Sequence, residues 1–156
     1  MTNKASNFIF CILIFYAIFC SLNIGISWDE LAHLDRGNER LKYLFSFGSY
    51  DYLDYRDRRF YPGFYNALAT FFTKMFPKKY EIESLHLINL LFSFFTIVGI
   101  YKISSELFNK NVGKIVFIIF FLNPIFFGHM SINQKDMIIA FSNIWSTYFI
   151  LKYLKE

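Results

Sequence analysis

From Phe8 to Ser27 the chain runs for 20 residues without a charged side chain. As a helix this is about 30 Å, the thickness of a bilayer's hydrocarbon core. In that medium the backbone has no water to bond, so only a structure that pairs its own N–H and C=O groups can persist there. Lys4 precedes the run, which is longer than a usual cleaved leader, and no small-x-small site follows before Trp28. It reads as a retained signal anchor.

Three further apolar blocks follow, Ser84–Tyr101, Ile115–Ile132 and Met137–Leu154. The hydrophobic share of 55% matters because it is gathered in these blocks rather than spread at an amphipathic period, which points to lipid as the solvent. The expected fold is all-α, a polytopic transmembrane bundle with spans at about 8–27, 84–101, 115–132 and 137–154. Asn123-Pro124 should kink the third span. Residues 28–83 form the first outer loop. Its polar part, Trp28–Arg59, carries acids and bases that cannot cross lipid, with tyrosines suited to the headgroup zone. Leu31–Leu44 reads as a short surface helix. Gly63–Phe76, bracketed by Pro62 and Pro77, is only about 21 Å long as a helix, so an interfacial or re-entrant course is expected.

Cys11 and Cys20 both lie in the first span, nine residues apart, so no mutual bridge is expected. The net charge is +4, but the bases are scattered among acids with no basic stripe, which excludes nucleic acid as a partner. With the N-terminus inside, ten of the 16 Lys and Arg lie outside, against the positive-inside tendency, while the whole net charge lies inside. Orientation is thus only weakly indicated.

Two polar clusters flank the spans. One is Trp28-Asp29-Glu30-Leu31-Ala32-His33; the other is Phe127–Asp136, with His129, Lys135 and Asp136. If Gly63–Phe76 does not cross, two spans separate the clusters and both face the same side. Ionisable groups at a membrane boundary are costly unless paired or used. The plainer alternative is that Asp29 and Glu30 begin a helix, where carboxylates suit the N-terminal dipole, and that Lys135-Asp136 is an ordinary ion pair in a turn. His33 shares a helix face with Asp29; His129 is placed to orient Asp136 or meet a phosphate; His86 reads as structural.

Together these residues resemble the start of a glycosyltransferase of the GT-C clan, which includes protein O-mannosyltransferases and lipid A aminoarabinose transferases. The likeness rests on a signal-anchor span followed by Asp29-Glu30, on Tyr61-Pro62-Gly63-Phe64-Tyr65, on a span pair, and on Pro124–His129 leading into Asn133-Gln134-Lys135-Asp136. Gln134 and Ile139 depart from it, standing where Pro and Phe are expected. The resemblance implies that Asp29, Glu30 and Asp136 are catalytic: Asp29 as the carboxylate of the first outer loop, Glu30 as its neighbour in the Asp-Glu motif, and Asp136 as the acidic residue of the second loop. Lys135, His129 and His33 would bind substrate, Lys135 as a point charge for a lipid phosphate.

The reaction so implied is hexosyl or pentosyl transfer from a polyprenyl-phosphate donor to an acceptor hydroxyl, at a plasma (inner) membrane with the site on the extracytoplasmic face. The expected partners are the lipid-linked sugar donor and membrane lipid; sugar and acceptor are open. Part of the clan uses a divalent metal and part does not, and the residues do not decide. Such enzymes carry more spans and a C-terminal extramembrane domain, so residues 1–156 read as an N-terminal portion. The alternative is a small four-span protein without enzymatic activity that binds lipid or a partner subunit. A transporter is disfavoured because no charge lies mid-span.

Overall fold

The computed structural model describes residues 3–50 and 63–155, with side chains from Phe8 onward. Residues 51–62, with the charged residues from Asp51 to Arg59 and Tyr61-Pro62, lie outside the described residues. Among those described, regular structure is entirely helical: α1 (Asn3–Asn23), α2 (Glu30–Phe45), α3 (Phe64–Thr73), α4 (Glu81–Leu107), α5 (Lys110–Leu122), α6 (Pro124–His129) and α7 (Asp136–Lys155), with one 3₁₀ turn at Lys78–Tyr80. The fold is an all-α helical bundle.

Among the described residues, two helices are long and apolar enough to cross a membrane by themselves, Lys78–Leu107 and Asp136–Lys155. The apolar part of α1, Phe8–Asn23, is shorter, because the helix stops at Asn23 rather than continuing to Ser27. The Asn23 side chain donates to the Phe19 carbonyl at 2.8 Å, and residues 24–27 are not helical. The kink expected at Asn123-Pro124 is a full break. Asn123 is extended (ψ 119), and its side chain accepts the Phe126 N–H at 2.9 Å, so it ends α5 and caps α6 at once. Proline at the first helical position needs no N–H partner there. The segment expected as the third span is therefore two short helices in series.

Phe8, Ile12, Phe15 and Phe19 of α1 are all exposed and recur at three- and four-residue intervals, an apolar stripe facing outward. In water such a stripe would be a liability; against lipid tails it is the natural surface. The inner side of α1 meets α4, α5 and α6, where Ala17, Leu90, Ile97, Phe117, Phe121 and Met130 form one buried cluster. A second cluster, Leu34, Tyr65, Ala69 and Leu85, joins α2, α3 and α4.

α4 is the central element and touches α1, α3, α5 and α7. Close approach is bought by glycine: a Cβ at Gly99 would lie 2.5 Å from Ile144 on α7, and one at Gly113 of α5 would meet Ser105 and the Tyr101 carbonyl of α4. Trp145 of α7 donates to the Phe95 carbonyl at 3.1 Å, and Lys155 to that of Glu106 at 2.6 Å. The surface pair α2–α3 packs as tightly. α2 ends where Phe47 (φ 52) and Gly48 (φ 84) turn left-handed, with the Gly48 N–H bonded to the Tyr43 carbonyl.

One face of α4 carries His86, Asn89, Ser93 and Thr96, all buried. Their spacing puts them on one side of the helix. Tyr65 of α3 donates its hydroxyl to Asn89 Oδ1, Asn89 Nδ2 donates to the Ser131 carbonyl at 2.8 Å, and Ser93 to that of Met130 at 2.8 Å. This polar seam holds the backbone within the second polar cluster, ahead of Asn133. Replacing Asn89 with Leu leaves a buried hydroxyl and a buried carbonyl without partners, at about 1–3 kcal/mol for each group fully desolvated and less where another partner is found. The expected result is a clearly lower thermal midpoint in detergent for Asn89→Leu, with a smaller drop for Ser93→Ala. Equal, negligible shifts in both variants would contradict this role of the seam.

Candidate active site

Asp29 is the residue before α2, and Asp136 is the first residue of α7. They line one cavity of about 340 Å³, with His33, His129 and Lys135 among its other walls. Asp29 and Asp136 are 107 residues apart in the chain, and the fold brings them to one end of the bundle. Trp28, 98% exposed, and Ser27 stand on the Asp29 side of the cavity.

The second loop is shaped by Asn133. Its Oδ1 accepts the Asp136 N–H at 2.9 Å, as an N-cap does, while its Nδ2 donates to Asp136 Oδ2 at 3.0 Å and lies 3.3 Å from His129 Nδ1. Asn133 thus joins the imidazole to the carboxylate and orients both. Asp136 is also well placed electrostatically, as a carboxylate in the first turn of a helix. The pattern Asn-x-x-Asp ahead of an apolar run was the signal available for this cap.

His33 is buried at 9% exposure, and its Nδ1 lies 3.2 Å from Asn66 Nδ2 of α3. An amide nitrogen only donates, so with the amide in this orientation Nδ1 accepts and the ring proton sits on Nε2. Burial holds the His33 pKa below its ordinary value, reinforced by the charges of Arg36 and Lys135 and partly opposed by Asp29 and Glu30. The imidazole is therefore neutral at pH 7 and serves as a hydrogen-bonding group rather than a cation. Asn66 was missed in the sequence because its role depends on the contact between α2 and α3.

A second cavity, about 270 Å³, lies between α3 and α7 and shares His33, Gln134 and Lys135 with the first. Its walls are mostly apolar, from Phe64, Tyr65, Ile138 and Ile139. Gln134 is buried at 3% exposure, and its Nε2 has no hydrogen-bond partner among the described residues. A polar chamber thus adjoins an apolar one, with Lys135 on both.

Glu30 is the predicted site residue that the fold does not bring to the cavity. It is 0% exposed and turns inward, where Oε1 lies 2.6 Å from His86 Nε2 of α4 and Oε2 accepts the Ser27 N–H at 2.5 Å. His86 Nδ1 lies 3.0 Å from the Ser21 carbonyl at the end of α1. Successive residues at a helix start point about 100° apart, and here the second of the two faces the bundle, where His86 of α4 meets it. For a metal, no three His, Cys, Asp or Glu side chains among the described residues come close enough to share an ion. The carboxylates and imidazoles of the cavity do not form a ligand set as they stand.

A helical membrane bundle with two acidic loops at one end fits the class of membrane glycosyltransferases. The chain belongs to the dolichyl-phosphate-mannose-protein mannosyltransferase family, whose match spans residues 61–156, more than half of its length. That match includes His129, Lys135 and Asp136 and begins after Asp29, Glu30 and His33. Neither the curated proteins nor the solved structures contain a match to this chain.

Proposed function

We propose that this chain transfers a sugar from a polyprenyl-phosphate donor to an acceptor hydroxyl, on the extracytoplasmic side of the membrane, at the cavity between Asp29 and Asp136. The observation that carries the reading is the convergence of these two carboxylates with Lys135 at one end of the bundle. The family's description names a lipid-phosphate sugar as donor, and a donor anchored by its lipid requires a site at the bilayer boundary.

In this mechanism the acceptor oxygen forms a bond to the sugar's anomeric carbon as the bond from that carbon to the phosphate oxygen breaks. The acceptor's proton passes to the Asp29 carboxylate, acting as general base. The bonding pair leaves with the phosphate, and Lys135 stabilises its negative charge. Asp136 faces the developing positive charge on the sugar and is oriented by Asn133. His129 and the neutral His33 are hydrogen-bonding groups for sugar hydroxyls. The neighbouring apolar cavity suits the first units of the lipid, with Lys135 between tail and head.

The test uses the full-length protein in proteoliposomes with radiolabelled polyprenyl-phosphate mannose, the sugar in the family's description. Release of label from the lipid phase should depend on the protein, and Asp136→Asn should reduce it about tenfold or more at equal protein level. Release that is unaffected by Asp136→Asn and by Lys135→Ala would remove the cavity from the reaction.

A further inference from the structure

The Asp29-Glu30 pair invites the reading that both carboxylates act on substrate. We infer instead that Glu30 and His86 form a positioning pair that fixes Asp29, taking no part in the chemistry; the inference rests on the reading of Asp29 as the base. Three observations converge on it. Both side chains are sealed from solvent, at 0% and 1% exposure, and neither lines the cavity. Glu30 Oε1 and His86 Nε2 have no hydrogen-bond partner among the described residues beyond their mutual 2.6 Å contact. The pair also joins three elements: the end of α1 through the Ser21 carbonyl, the start of α2, and α4.

The proton count follows from the partners. A carbonyl only accepts, so the His86 Nδ1 facing Ser21 carries a proton. Nε2 then meets a carboxyl group, and the contact is attractive only with a proton between them, held by either partner. Removing either side chain leaves the facing atom of the other, Glu30 Oε1 or His86 Nε2, buried without a partner.

How this reaches Asp29 is a matter of backbone. Glu30 Oε2 holds the Ser27 N–H, the Glu30 N–H reaches the Ser27 carbonyl at 3.3 Å, and the Asp29 carbonyl accepts the His33 N–H at 2.9 Å. The sequence Ser-x-x-Glu at a helix start is half of a capping box, and here the glutamate's second oxygen is anchored on another helix. Asp29 sits inside this closed arc, so its direction into the cavity is set by the arc. Because α4 also holds Met130 and Ser131 through Ser93 and Asn89, one helix registers both acidic loops against each other.

The test compares turnover per folded molecule in proteoliposomes, with polyprenyl-phosphate mannose as probe, for Glu30→Ala, His86→Ala, the double variant, His86→Gln and Asp29→Asn. Small misplacement of a reacting group is costly, so Glu30→Ala and His86→Ala should each lower kcat about 10–100-fold. The donor KM should change less than about threefold, since the donor's contacts are elsewhere. The double variant should be no slower than the worse single variant, because the two act as a unit. His86→Gln, which keeps an N–H directed at Glu30, should recover much of kcat, and it remains informative should the alanine variants insert poorly. If Asp29→Asn is inactive while Glu30→Ala and His86→Ala keep full kcat, the positioning pair is refuted and the base survives. A Glu30→Ala loss as large as that of Asp29→Asn with His86→Ala unaffected would make Glu30 a reacting group. Near-normal turnover by Asp29→Asn would overturn the base and this inference with it.

Discussion

Asp29→Asn is expected to lower turnover about 10²–10⁴-fold, the range for loss of a positioned general base. The substitution keeps the shape of the side chain and removes its ability to accept a proton. Asp29 makes no side-chain cap to α2, so the helix start should persist. It also lies outside the apolar spans, so protein level and insertion should barely change. The measurement is transfer from labelled polyprenyl-phosphate mannose in reconstituted membranes, normalised to inserted protein. Near-normal turnover by well-inserted protein would sink the assignment. A loss accounted for wholly by lower protein level would instead favour a carboxylate that only starts a helix. The contrast with Glu30→Gln is informative: the inward-facing residue should show its effect through misplacement of its neighbour.

The second large effect is expected in packing. A Cβ added at Gly37 of α2 would fall on the Thr70 hydroxyl and 2.5 Å from the Asn66 carbonyl of α3. A carbonyl in a helix cannot swing away as the end of a long side chain can, so Gly37→Leu must push α2 off α3. Overpacking of this kind costs about 1–3 kcal/mol or more. Asn66 also holds His33, so the same change should disturb the cavity wall. The expected result is a large fall in the thermal midpoint of Gly37→Leu in detergent, with transfer activity reduced in the folded remainder. Gly25→Ala is the control, since nothing lies within 4 Å of a Cβ there. Equal midpoints for the two variants would contradict the close contact of α2 and α3.

Much of this architecture was legible because lipid imposes a simple rule on composition. The apolar blocks mark helices α1, α4 and α7, and Asn123-Pro124 announces an interruption, since proline cannot continue the hydrogen-bond ladder. That the interruption is a complete break depends on Asn123 capping the next helix, a choice between kink and restart that local sequence leaves open. Helix α1 stops four residues short of the expected Ser27 although residues 24–27 are as apolar as the rest. They run without helix into the arc that Glu30 closes at Ser27.

The site was legible by residue type and illegible by direction. Asp29, His33, His129, Lys135 and Asp136 were chosen because charge at a membrane boundary is costly, and the fold gathers them around one cavity. Glu30 was chosen on the same ground, yet its direction is decided by His86, 56 residues away in an apolar span. No local pattern encodes that pairing. Asn89 and Ser93 were passed over as small polar residues in a span, although their spacing with His86 marks one face of α4. The cap by Asn133 had a local signal in Asn-x-x-Asp, whereas its bridge between His129 and Asp136 requires the loop's geometry.

The central claim is that the loops holding Asp29 and Asp136 form one site on one side of the membrane. The most direct measurement uses the full-length protein with Cys11 and Cys20 replaced by Ala. Single cysteines are placed at Trp28 and Asn133, which line the same cavity, and at Asn111 in the first turn of α5. An impermeant thiol reagent added to sealed right-side-out vesicles should label Trp28→Cys and Asn133→Cys and leave Asn111→Cys untouched. In the double variant Trp28→Cys with Asn133→Cys, a short bifunctional reagent should close an intramolecular cross-link. Labelling of Trp28→Cys and Asn133→Cys from opposite sides, with no cross-link in the pair, would contradict the shared site and the mechanism built on it.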